Sequence, residues 1–138
     1  MWYYNNEQFV DNDITPYVGF VYLITDLTNN KKYVGKKIFW SIRKLPPLKG
    51  QKRKRTKKIE SDWMKYYGSS EQVKLLVEDS GPDRFHREIL RLCKFKGEMS
   101  YFEAKEQFDR NVLFSDEYYN EFIGCKIHSK HVAKIDKD

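Results

Sequence analysis

Two short apolar runs, each carrying a tyrosine and separated by a polar turn, constrain this chain more than any other stretch. The first, Phe20 to Thr25, is rich in aromatic and β-branched residues and is flanked by Gly19 and Asp26, which predicts a strand. Asp26 to Asn30 supplies Asp, Thr and two Asn, whose side chains bond their own backbone and tolerate left-handed geometry, so the chain turns back there. Tyr33-Val34-Gly35 opens a second strand. The resulting hairpin brings Tyr22 and Tyr33 close together at one end of a sheet. The turn length stays open, and with it whether the two rings share a face.

The rest of the chain supplies elements to cover that hairpin. Pro46-Pro47 stops any helix, because proline lacks a donor and disfavours helical geometry before it, and 48–58 read as a loop. Ser61 caps a segment from Asp62 to Tyr67 able to make nearly two helical turns, which Gly68 ends. Ser69 with Gln72 resembles a capping box for a helix carrying Val73, Leu76 and Val77 and closing near Gly81-Pro82. Phe85 to Cys93 reads as a third strand, and Ser100 with Glu103 as a second capping box, starting a helix from Tyr101 to about Val112. Tyr118-Tyr119-Asn120 follows an acidic turn. This order predicts a small α/β (α+β) domain with a central, mostly antiparallel three-stranded sheet flanked by helices. Its divisions are an N-terminal arm (1–18) packing Trp2, Tyr3, Tyr4 and Phe9 on the body, a domain at 19–125 with a basic insertion loop at 43–60, and a tail at 126–138.

Charge separates this loop from the body. From Lys36 to Lys58 there are eleven Lys and Arg and no acid, so a net charge of +6 leaves −5 for everything else. Lys36, Lys37, Lys49, Lys52, Arg53, Lys54, Arg55, Lys57 and Lys58 thus form one cationic block, the footprint of a polyanion-binding surface. A solvated basic segment or a nuclear-import address has the same composition. The two cysteines make no staple framework, and no run is apolar enough for a signal peptide or a membrane span, so a soluble, intracellular protein without membrane contact is expected. Cys125, His128 and His131 are spaced like metal ligands, but no second pair completes a zinc set.

Tyr22 and Tyr33, eleven apart with Val34-Gly35 after the second, resemble the paired signature of GIY-YIG nucleases, although the first element reads Phe20-Val21-Tyr22 with Gly19 one place early. The resemblance covers roughly 19–123, and Ser61-Asp62-Trp63 followed by Tyr66-Tyr67-Gly68-Ser69-Ser70 is similar to a phage-encoded subgroup related to homing endonucleases. It implies a metal-dependent DNA endonuclease of homing or mobile-element type, acting in the cytoplasm of a bacterial host. Phosphodiester hydrolysis needs charge neutralisation, an activated water and support for the leaving oxygen, and a divalent ion on one carboxylate serves several of these at once.

The site residues follow from that resemblance. Glu103 stands early in the helix after the third strand, where the family carries its metal-binding glutamate, and implies one Mg2+ or Mn2+ per site. Its capping box with Ser100 is a competing local duty, and Glu106 is the substitute one turn on. Asn120 falls at the family's late Tyr-Asn element, where its amide would fix backbone or orient a hydroxyl. Arg43 lies at the interval expected for the transition-state arginine, with Arg53 and Arg55 as alternatives. Tyr33 is the candidate water-activating phenol and Tyr22 a positioning group, Lys36 and Lys37 supplying cations to lower a phenol pKa. A non-catalytic nucleic-acid-binding module with the same fold and basic loop is the alternative function.

Overall fold

The computed structural model describes residues 1–135, so the last three residues of the expected tail lie outside the described residues. Among the described residues there are seven strands: β1 (Trp2–Tyr4), β2 (Glu7–Phe9), β3 (Gly19–Asp26), β4 (Lys32–Ile38), β5 (Trp40–Leu45), β6 (Arg55–Glu60) and β7 (Phe85–Cys93). They are accompanied, among the same described residues, by three helices: α1 (Glu71–Ser80), α2 (Lys96–Asp109) and α3 (Ser129–Val132). The architecture is α+β, and the sheet has five strands in the order β2-β1-β7-β3-β4, not three. β3 pairs antiparallel with both β4 and β7, as the hydrophobic pattern predicts, while β1 joins β7 in parallel. The first nine residues are therefore built into the sheet. Trp2 belongs to the core, 1% exposed, with its indole N–H donating to Trp63 O at 2.8 Å.

Two cores sandwich the sheet. One face carries Phe20, Tyr22 and Ile24 against Trp2, Phe39, Trp63 and Val73 of α1. The other carries Val21, Leu23 and Val34 against Met99 of α2. This alternation along β3 is the period-2 pattern of a strand buried on both faces.

Three local readings are corrected. Residues 61–68 make only a 3-10 turn at Trp63–Lys65, because tertiary bonds replace helical ones: the Arg87 guanidinium donates to Met64 O at 3.0 Å and Tyr66 O at 2.8 Å. α1 is capped by Ser70, whose hydroxyl accepts from Val73 N, which frees Ser69. α2 starts at Lys96, about one turn earlier than expected, with Glu98 reaching back to accept from Lys94 N at 2.7 Å. α3 packs closely on Gly97 in the first turn of α2: a Cβ there would lie 2.5 Å from His131 O. Ser100 is consequently inside the helix and no cap, so Glu103 has no capping duty.

The basic loop is itself structured. β5 and β6 pair antiparallel from Trp40↔Glu60 to Leu45↔Arg55 as a separate two-stranded sheet, with Pro46-Pro47 in the connection where no ladder donor is required.

Candidate active site

The β3–β4 register opposes Tyr22 to Gly35 and Ile24 to Tyr33, so both tyrosines stand on one face. Their ring centroids are 6.2 Å apart, and Tyr66 packs edge-on to Tyr22 at 5.9 Å. The Tyr22 hydroxyl lies over Gly35, and Gly68, at φ +91°, lets the chain pass beside Tyr33: a Cβ there would come 3.3 Å from that ring.

Glu103 arrives from the other side of the sheet. α2 packs on the face of Val21, Leu23 and Val34, and Lys36, two residues beyond Val34, points toward that helix. The Lys36 ammonium donates to Ser100 Oγ at 3.0 Å and lies 3.9 Å from Glu103 Oε1. β4 is the sheet edge, so Tyr33 from one face and Glu103 from the other meet around it. They line one cleft of about 340 Å³ with Ser69, Gln107, Asn120 and Phe122. Glu106 turns elsewhere, held by Arg110 at 2.9 Å, and is absent from that lining.

Asn120 clamps the edge strand. Its amide accepts from Val34 N at 3.1 Å and donates to Val34 O at 2.9 Å, continuing a short parallel pairing in which Lys32 N donates to Glu117 O and Tyr119 N to Lys32 O. Gln107 Nε2 donates to the same Val34 carbonyl at 3.1 Å, leaving Gln107 Oε1 buried with no partner among the described residues.

The electrostatics differ from expectation at the phenols. Burial pushes the Tyr22 hydroxyl well above the usual phenol range, aided by Tyr66, Tyr33 and Glu103. Tyr33 is also raised, chiefly by burial, and its 2.8 Å hydrogen bond with Ser69 only partly offsets this. The two neighbouring lysines have other partners. Lys36 is engaged with Ser100 and Glu103, and Lys37 with Asp62 at 2.7 Å and the Tyr66 ring at 4.2 Å. Burial likewise raises the Glu103 carboxyl, against a smaller opposing pull from Lys36.

The arginines are not brought in. Arg43 is exposed on β5 opposite Lys57, Arg53 lies in the ribbon's connection, and Arg55 is on β6 with its Nε donating to Pro46 O; none lines the cleft. The chain after the second tyrosine continues as β4 and then the β5–β6 ribbon, which carries these arginines away from the cleft lining. Lys36 is the cation beside the carboxylate instead. A site role for Ser69 and Tyr66 was missed in the sequence, whereas Gln107, four residues after Glu103 on the same helical face, follows from its spacing. Among the described residues no three His, Cys, Asp or Glu side chains converge on a metal position, and His128 and His131 serve as caps of α3.

Residues 2–123 match the family model described as "Putative endonuclease segE, GIY-YIG domain". The chain belongs to the GIY-YIG endonuclease family. No curated protein and no solved structure matches it. In this GIY-YIG nuclease the early glycine has a packing reason: a Cβ at Gly19 would come within 2.6 Å of Met99 Sδ and 2.5 Å of Lys37 O. No helix among the described residues is long and apolar enough to cross a membrane.

Proposed function

We propose that this GIY-YIG nuclease is a divalent-metal-dependent DNA endonuclease whose site is the cleft at the β4 edge. The observation that carries the reading is the convergence of Tyr33 and Glu103 on that cleft from opposite faces of one strand. The residues present suit a magnesium or manganese ion. Such ions are held through one or two carboxylates, the remaining positions going to water and substrate phosphate, and a desolvated Glu103 beside an unpartnered Gln107 oxygen supplies one anionic ligand and one acceptor for a coordinated water. When bound, the ion polarises the phosphoryl oxygen and stabilises the departing alkoxide.

The protein's own groups complete the site. Tyr33, kept protonated by burial, donates its hydroxyl hydrogen to a phosphate oxygen, a hydrogen bond that strengthens as charge builds there. Ser69 orients that hydroxyl. Lys36 adds positive charge beside Glu103. Tyr22, buried and neutral, holds the wall, and Asn120 holds the Val34 backbone against the cleft.

The test is nicking of supercoiled plasmid with magnesium and then with EDTA, by the native chain and by Glu103→Gln. Cleavage that EDTA and the substitution both abolish supports the reading. Cleavage undiminished in Glu103→Gln overturns the site, and DNA binding with no cleavage under any divalent ion supports the non-catalytic module.

A further inference from the structure

We infer that the β5–β6 ribbon enters the major groove of duplex DNA, making B-form duplex the substrate in preference to single strands or double-stranded RNA. The inference rests on the nuclease reading above for why DNA is engaged. The ribbon spans Trp40 to Glu60 and holds nine Lys and Arg against one acid. Among the described residues its strands pair only with each other, and its outer part is exposed at Ile42–Lys44 and Arg55–Lys58. An isolated two-stranded hairpin is marginal in water, and like charges directly opposite weaken it further. Arg43 nevertheless stands opposite Lys57. The one acid, Glu60, accepts from the Trp63 indole, and among the described residues no cation from Arg43 to Lys58 has an ion-pair partner. These charges need a polyanion.

Shape selects which one. Six-residue strands extend about 20 Å and lie about 4.8 Å apart. A ribbon of that size fits a B-form major groove about 12 Å wide, but not a minor groove of about 6 Å. The A-form major groove of double-stranded RNA is too narrow and deep to admit it. Ile42, 69% exposed on the ribbon, suits contact with thymine methyl groups, which line only the major groove.

The base of the ribbon is fixed to the body. The Trp40 indole donates to Tyr17 O at 3.0 Å, Ser61 Oγ to Ile38 O at 2.6 Å, and Ser61 N to Phe39 O at 2.7 Å. Phe39 alone separates β5 from β4, the strand around which the cleft is built. A groove contact by the ribbon therefore sets the position of the flanking phosphates relative to that cleft.

Binding is followed by fluorescence anisotropy in EDTA, so the outcome does not depend on catalysis. The full chain is expected to bind a mixed-sequence DNA duplex at least about tenfold tighter than RNA duplex or single-stranded DNA of the same sequence. Bulky C5 substituents on every thymine, which fill the major groove, lower affinity by a similar factor, while the minor-groove ligand netropsin does not compete. The R43Q/K57Q variant loses about tenfold in duplex affinity, with its Tm unchanged or higher because the like-charge pair is relieved. Equal affinity for the RNA duplex, or competition by netropsin with no effect of the thymine substituents, overturns the inference; these arms use the unaltered protein and are independent of how the variant folds. Groove binding of this kind without magnesium-dependent cleavage removes the nuclease reading and leaves the ribbon assignment standing.

Discussion

The Tyr22 hydroxyl occupies the space that a side chain at Gly35 would need, across a directly opposed pair of β3 and β4 residues. A phenol on the inner strand thus reaches the edge strand only where that strand has no Cβ. Tyr22 can then be fully buried while its oxygen still borders Tyr33, Gly68 and the cleft wall. The tyrosine and the glycine that follows the other tyrosine form one packing unit.

Gly35→Ala is expected to lower stability by about 1–3 kcal/mol, the range for forcing a methyl group into a filled site. Urea denaturation measures it. In the Tyr22→Phe/Gly35→Ala pair the loss should be smaller than the sum of the single changes, because removing the oxygen relieves the clash. Strict additivity would show that the two positions do not share this space.

Glu103→Gln should reduce plasmid cleavage by at least about 10²-fold while leaving DNA affinity in EDTA unchanged. Glu106→Gln, which removes only an ion pair with Arg110, should cut normally. Because burial raises the Glu103 carboxyl and only its ionised form holds a cation, activity should fall on acidification at a pH above the ordinary glutamate value of about 4.3. A rate that holds down to that ordinary value would contradict it.

Tyr33→Phe should slow cleavage by about tenfold to a hundredfold, the worth of one hydrogen bond to a charged group. A phenol raised by burial is a donor throughout neutral pH, so the native rate should not climb with Tyr33 ionisation between pH 7 and about 9. A climb there that Tyr33→Phe eliminates would assign it as the base.

Asp26 is expected to contribute to acid stability. Burial would raise its carboxyl, but hydrogen bonds from Arg84 at 2.8 and 2.7 Å, from Tyr119 at 2.6 Å and from Thr28 outweigh this and hold it well below the carboxylate range. A folded pKa below the unfolded one means that the stabilisation is complete above the unfolded value of about 3.9 and is lost as pH falls beneath it. Asp26→Asn should therefore cost about 3 kcal/mol at neutral pH and unfold with a shallower acid dependence below about pH 4. Circular dichroism at graded pH distinguishes this from a native-like profile.

The hairpin, the third strand and the glutamate-bearing helix were legible because their apolar periods are local: aromatic and β-branched runs at Phe20–Thr25 and Phe85–Cys93 have few other options. The basic segment reads as a loop because its strand formers, Ile42, Thr56 and Ile59, are scattered among cations whose repulsion only pairing geometry reveals. The start of α2 was displaced because Ser100 and Glu103 have the spacing of a capping box, whereas the first turn is held by Glu98 accepting from Lys94 N. Arg43 was judged by its interval from Tyr33, and an interval carries no information about which sheet the chain has entered.

The sequence by itself determined the strand pair, its two phenols and the charge asymmetry, since period, turn chemistry and composition act over neighbouring residues. Only the tertiary structure decided that Glu103, not Glu106, meets Tyr33, that Asn120 clamps Val34, and that both phenols are driven up by burial. Those outcomes depend on how α2 and residues 117–120 wrap one strand edge, where burial raises the phenols and the nearby lysines bind other partners.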